Sequence, residues 1–471
     1  MNKSDPILIT VLIASAAILL VLFYMYFGPE WDLIAHYMNA KSLANPSFYG
    51  CLFSKNCVFA TQDSAFYFEP FRAPLSSAFI AIFIIMAGSY ALPAYVAFVF
   101  ALFLASIYML AKDMQLDLLI TFSVFLSPFV LLFSLLANST EMLSLSFAMV
   151  GIAMIARKSP WSGLFFGLAS LSKYILLFSL PLLLLLRKPR KITAALVLFV
   201  LPILPWLAVN KVAFGSFIFS YTNIFSIVNA SVFTTGISAT ALLTILSSAI
   251  AITIAAVIAM LYFGKGRLTF PAKDLRKSIS NNIRIQAALL LLALSAASWL
   301  YIAYRRDVFT QTRFGYMLYG SVALCLAIIF SSAAKVKRNS GIRFVIAVIS
   351  IVMIFYSAIG IWSTLGSGPA LSIWNPVYSN AAHELDSLGY GNCDVVSNDW
   401  IYMLYYGVHA FSPFYMGNRY PIIVFYNSYA ATNPSLIANM RNSTAVFNNG
   451  NFSVLLPSNY TCFSSGPAAA G

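Results

Sequence analysis

Apolar runs of about 20 residues recur along the chain, separated by short basic clusters, a pattern that reads as a polytopic helical membrane protein. The first run covers residues 7–27. It is too long for the core of a signal peptide, and Tyr24, Tyr26 and Phe27 stand where small cleavage-site residues belong, so it reads as a retained anchor. Residues 28–90 form a large first outer loop. Further spans fall at 91–111, 117–136 and 142–156, and residues 160–186 form a short hairpin that turns at Lys173. The later spans are 192–212 (kinked by Pro202 and Pro205), 238–263, 285–303, 314–333 and 342–362, giving about 11 transmembrane helices in all. The stretch from Ala73 to Gly88 is apolar but only 16 residues long, against the roughly 20 that cross a bilayer. It is predicted to lie along the outer surface as a juxtamembrane helix. Past residue 363 the periodicity changes. A helix at 379–388, strands at 394–397, 421–426 and 452–456, and a helix at 400–406 predict a small α/β domain. The expected fold class is an all-α polytopic membrane domain over 1–362 with a small α/β extracytoplasmic domain over 363–471.

Composition strengthens this reading and charge orients it. The 471 residues are 61% hydrophobic and only 9% charged, where a soluble domain carries about 25% charged residues. A net charge of +14 would suggest nucleic acid in a soluble protein, but here the cations act as topology determinants and no nucleic-acid motif occurs. With the N-terminus cytoplasmic, 18 of the 28 Lys and Arg residues fall inside, and the outer ones lie mostly in long loops that the positive-inside rule exempts. Cys51, Cys57, Cys393 and Cys462 fall outside, and Cys325 lies in a span. Bridges Cys51–Cys57 and Cys393–Cys462 suit an oxidising compartment, with the other pairings left open. Outer Asn-x-Ser/Thr sequons, as at Asn138 and Asn442, are compatible with glycosylation.

Candidate chemistry sits on the outer face. The chain has no GxxxxGK[ST], HExxH, GxSxG or CxxC pair, and its three histidines are far apart in sequence. The outer acids and bases near the membrane are Glu30, Asp32, His36, Glu69, Arg72, Glu141, Lys173 and Arg313, and ionisable groups at that depth are functional candidates by default. Each has a plainer reading. Asp32 would cap the helix that follows it, Glu69 would pair with Arg72, and Lys173 would snorkel from its hairpin. Glu30 and His36 read as polar surface.

Several of these residues lie in segments that resemble one family. Trp31-Asp32 with Ala35, Tyr37, Ala40 and Leu43 is similar to the opening of the first outer loop in GT-C glycosyltransferases, and Phe68-Glu69-Pro70-Phe71-Arg72-Ala73-Pro74-Leu75 to the segment before their juxtamembrane helix. Glu141 resembles their second outer-loop acid. Gly167 to Tyr174 resembles a recurrent hairpin, Pro205-Trp206 to Phe214-Gly215 a later loop, and Gln311-Thr312-Arg313-Phe314 an Arg-aromatic segment. The nearest branch is the protein mannosyltransferase and aminoarabinose transferase-like group, with the likeness covering roughly residues 1–330. Leu33 stands where that family has a second acid, and Ala73 where it has the first proline of a pair.

The resemblance implies transfer of a sugar such as mannose from a polyprenyl or dolichyl monophosphate to a glycan, lipid or protein acceptor, with inversion. Asp32 is then the general base, Glu141 orients Asp32 or the acceptor, and Glu69 contacts the sugar. Arg72, Lys173 and Arg313 bind phosphate, Arg by its planar fork and Lys as a point charge. The leaving group is already good, so no general acid is required. No cofactor is expected. A divalent metal stays open, but neither loop carries a DxD or DxE that would hold one. The rivals are a transporter or lipid flippase, and a non-catalytic scaffold. Transporters show internal repeats and ionisable groups in mid-span, whereas here the charges gather at one face.

Overall fold

The structure is a computed structural model. It describes residues 5–54, 68–222, 282–305, 316–337, 340–365, 376–397, 399–411, 421–426, 443–458, 460 and 462. The expected span at 238–263 therefore lies outside the described residues, as do Arg313 and Cys57.

The first helix, α1 (Asp5–Phe27), ends at Gly28, whose φ of +73° turns the chain sharply. The amide of Gly28 donates to the Tyr24 carbonyl at 2.8 Å. Two helices of the first loop follow, α2 (Trp31–Ala44) and α3 (Pro46–Ser54). The apolar helix α4 (Pro74–Ala87) has 14 residues, about 21 Å at 1.5 Å per residue and short of a bilayer. Gly88 (φ +55°) then reverses the chain into α5 (Ala91–Met114). The two helices pack side by side, Phe79 and Phe83 meeting Phe98 with centroids 5.3 and 5.7 Å apart. The helix predicted over 73–88 is thus present as a separate element.

The region predicted as one span at 117–136 is broken. Pro128 separates α6 (Leu118–Leu126) from α7 (Phe129–Asn138), because proline has no N–H for the helical ladder and clashes with the turn before it. Next comes α8 (Thr140–Ala156), buried on every side from Thr140 to Ile155, which makes it the central post of the bundle. Helix α9 (Ser162–Ser172) and a 3-10 segment (Tyr174–Leu186) form the predicted hairpin, with Lys173 extended between them at φ −151°. The kink expected at Pro202 and Pro205 appears as a 43° bend between α10 (Pro189–Val200) and α11 (Leu204–Phe214).

Three long helices follow: α12 (Ile283–Arg305), α13 (Tyr316–Lys337) and α14 (Ser340–Leu365). Phe344, Val345, Ile349, Val352, Tyr356 and Ile359 of α14 are exposed, as are Ile18, Val21 and Leu22 of α1, which is the surface lipid tails would cover. Asp5–Met25 and the folded-back stretch Pro74–Met114 are long and apolar enough to cross a membrane, with the bent α10–α11 pair as a third candidate.

The C-terminal region mixes helix and sheet. It contains α15 (Pro376–Ser387), β1 (Val395–Ser397), α16 (Trp400–Tyr405), β2 (Ala410–Phe411), β3 (Ile422–Tyr426), β4 (Ser443–Asn448) and β5 (Phe452–Pro457). The sheet order is β2-β1-β3-β5-β4, with β1 parallel to β2 and β3, and β5 antiparallel to β3 and β4. Cys393 and Cys462 are bridged as predicted, with Cα atoms 5.1 Å apart.

Candidate functional site

Five charged side chains from four separate stretches of sequence meet where α2, α8 and α9 begin or end. Asp32 occupies the first turn of α2. The N-cap position belongs to Glu30, whose side chain makes no capping bond. The capping reading of Asp32 is therefore overturned, and its carboxylate faces cations instead. Glu30 is fixed by its backbone, its amide donating to the Ala137 carbonyl at 3.1 Å.

Arg72 joins two acids. Its Nη1 donates to Asp32 Oδ1 at 2.9 Å, and its Nε donates to Glu69 Oε2. One planar guanidinium serves both, which a lysine ammonium would not reproduce. Glu69 is buried (3% exposed) rather than a surface partner. Its backbone is held by Asn39 in both directions: the Glu69 amide donates to Asn39 Oδ1 at 2.8 Å, and Asn39 Nδ2 donates to the Glu69 carbonyl at 3.2 Å.

Lys173 is the second bridge. Its Nζ lies 2.8 Å from Glu141 Oε1 and 3.5 Å from Asp32 Oδ2. Glu141 sits in the first turn of α8, where the helix dipole favours a negative charge. It is 1% exposed, and its other oxygen accepts from Thr140 Oγ1 at 2.6 Å. Glu141 thus reaches Asp32 through Lys173. Lys173 is the most open of the group at 23% side-chain exposure, with Asp32 at 14%.

Three participants carry weak or no signal in the sequence. His36, read above as polar surface, is in fact 2% exposed, with Nδ1 2.8 Å from Ser77 Oγ. It follows Asp32 by one helical turn, so both project from the same face of α2. Its pKa is held well below the usual histidine value, first by burial, then by Arg72 and Lys173, with Asp32 opposing them. Tyr174 and Trp206 form a relay behind Arg72: the Trp206 indole donates to the Tyr174 hydroxyl at 2.9 Å, which donates to the Arg72 carbonyl at 3.3 Å. A polar residue at i+4 from the acid is the one clue to His36; Tyr174 and Trp206 stand in the family-like segments, but nothing in the sequence pairs them.

Asp32, Glu69 and Glu141 are each held by Arg72 or Lys173, and among the described residues no three metal-ligating side chains converge. A narrow apolar groove opens between the 3-10 segment and α12 and α13, lined in part by Ile175, Phe178, Leu291, Trp299 and Met317.

No family model and no curated protein matches this sequence. Among solved structures the chain is similar to the crystal structure of ArnT from Cupriavidus metallidurans bound to undecaprenyl phosphate. The TM-score is 0.55 at 10% identity, over 96% of this chain and 98% of that one.

Proposed function

Because the chain has the fold of a GT-C membrane glycosyltransferase, we propose that it moves a sugar from a polyprenyl monophosphate onto an acceptor hydroxyl at the extracytoplasmic face. The observation that carries this is the cluster itself: one partly open carboxylate, Asp32, flanked by two cations from other stretches of sequence. ArnT's bound undecaprenyl phosphate supports the choice of donor class.

The chemistry asks little else of the protein. Asp32 accepts the proton of the acceptor hydroxyl as the oxygen attacks the anomeric carbon, and the glycosyl–phosphate bond breaks on the opposite face with inversion. Lys173, the more exposed cation and the longer-range partner of Asp32, turns to the donor phosphate and frees the base. Arg72 keeps Asp32 and Glu69 in register and adds positive potential where the phosphate gathers charge. Arg313 is a third phosphate ligand in this reading, and a hexose such as mannose is the sugar. The acceptor is a glycan, lipid or protein.

Sidedness has support from pairing. With the N-terminus inside, the predicted spans put Asp5, Asp113, Asp117, Arg157 and Arg343 on the cytoplasmic side, and Arg157–Asp113, Arg343–Asp5 and Arg343–Asp117 pair among them. Arg72–Asp32 and Lys173–Glu141 join residues that the same spans put outside. The Cys393–Cys462 bridge suits an oxidising compartment for a domain over 363–471.

The test is transfer by purified protein in lipid with radiolabelled polyprenyl-phosphate sugars and an acceptor extract. Asp32→Asn should lower turnover by about 10³-fold or more, since it removes the general base and its charge together, while the folded yield is unchanged. Turnover by Asp32→Asn within a few-fold of the native protein would sink the assignment. Movement of intact sugar-lipid across vesicles without transfer would support a flippase instead.

A further inference from the structure

The C-terminal region touches the proposed base from behind. On α2, Asp32, His36 and Asn39 share one face, and their partners Arg72, Ser77 and Glu69 all come from residues 69–77. Residues turn by about 100° each along a helix, so Trp31 and Tyr37 flank the opposite side. There α16 lies. Trp400 and Tyr402 meet the Trp31 ring edge-on with centroids 5.7 and 5.6 Å away, and Tyr405 meets Tyr37 at 5.9 Å. Helix α2 is clasped between the charged cluster and a short aromatic helix from the far end of the chain.

The clasp is itself anchored. Trp400, Ile401, Tyr402 and Met403 are buried. Tyr402 stacks on Tyr378 at 4.8 Å, and the Tyr378 hydroxyl donates to the carboxylate of Asp399, the residue before α16. On the other side the Tyr426 hydroxyl lies 2.6 Å from Met403 Sδ, tying α16 to β3. Movement of α16 would therefore have to disturb the sheet, and movement of α2 would have to disturb α16.

We propose that the C-terminal region is a positioning element of the transfer reaction, with Trp400 and Tyr402 fixing α2 through Trp31, the residue that precedes Asp32. This rests on the assignment of Asp32 as base. Misplacing a reacting group by about 1 Å can cost roughly 10²-fold in rate, so such contacts act on turnover more than on donor binding.

The experiment compares full-length variants in lipid, each normalised to folded protein. Trp400→Leu should lower kcat by about 10- to 100-fold with donor KM nearly unchanged, and Trp400→Phe should recover most of it. Trp31→Leu reads the same contact from α2 where Trp400→Leu fails to fold. The double variant should lose no more than the worse single, as residues acting through one contact are not additive. Val454→Ala, in the buried core of β5 away from α2, is the control: it should lower stability and leave kcat per folded molecule intact. Native kcat in folded Trp400→Leu or Trp31→Leu, or an equal kcat loss in Val454→Ala, overturns the proposal. No transfer by the native protein would instead strike at the assignment of Asp32.

Discussion

Asp32 sits two residues past the N-cap position of α2, and that small offset takes its carboxylate away from a capping role. A capping carboxylate would be spent on backbone amides, whereas this one is held by Arg72 at 2.9 Å and reached by Lys173. Asp32, Glu69, Arg72, Glu141 and Lys173 were legible because charge is scarce in this chain and each instance beside an apolar run stands out. His36 was not, because burial is a property of the fold, and a lone histidine on a mixed helix looks the same buried or exposed. Its placement has a consequence for acid stability. With its folded pKa below the ordinary value near 6.5, the unfolded chain takes up the proton first as pH falls. Stability is therefore complete above about pH 6.5 and declines as pH drops toward the folded pKa. Thermal unfolding measured against pH should show this decline in the native protein and a flatter curve in His36→Gln; parallel curves would show that His36 does not bear the acid sensitivity.

Between elements, close approach decides where the charges land. Helices α9 and α10 meet backbone to backbone at two glycines one turn apart, as small residues allow in membrane bundles. A Cβ on Gly163 would lie 1.8 Å from the Ala195 carbonyl oxygen, and one on Gly167 would lie 2.4 Å from that of Phe199. Because α9 ends at Lys173, this contact sets the lysine's position. Gly163→Ala should cost about 1–3 kcal/mol by overpacking or prevent folding, and should lower transfer in whatever protein folds. Gly50→Ala, inside α3 with nothing within 4 Å of the added atom, should raise stability slightly in the same thermal-shift measurement. The sequence announced the α9 hairpin and the α10–α11 kink through Lys173 and the prolines. It did not announce the break at Pro128 inside an otherwise continuous apolar run, nor β2 and β4. Strand β2 has two residues, and β4 is an edge strand without regular alternation of buried and exposed positions.

Across the whole molecule, the bilayer made the order of elements readable, because a spanning helix has a required length and loops carry a charge bias. Sidedness is therefore a prediction of the fold as a unit. Cysteines introduced at the exposed positions Arg190 and Ser387 should differ toward a membrane-impermeant maleimide, Ser387 reacting in intact cells and Arg190 only after the membrane is permeabilised. Labelling of Arg190 in intact cells, or of Ser387 only after permeabilisation, would invert or break the topology. The contact of α16 with α2 had no counterpart in the sequence reading. It pairs residues from opposite ends of the chain, and an isolated Trp-Ile-Tyr motif gives no hint of its partner.

Glu141 bears on how substitutions at Lys173 should be judged. The glutamate is 1% exposed, and one of its oxygens has Lys173 as its ion-pair partner at 2.8 Å. Removing the lysine alone strands a carboxylate in a poorly solvated place, a penalty of several kcal/mol that has nothing to do with substrate. If Lys173 holds the donor phosphate as proposed, slow transfer by Lys173→Met would thus mix the loss of that contact with local damage. Lys173→Met combined with Glu141→Gln removes both charges together, and what activity it still lacks is the lysine's own share.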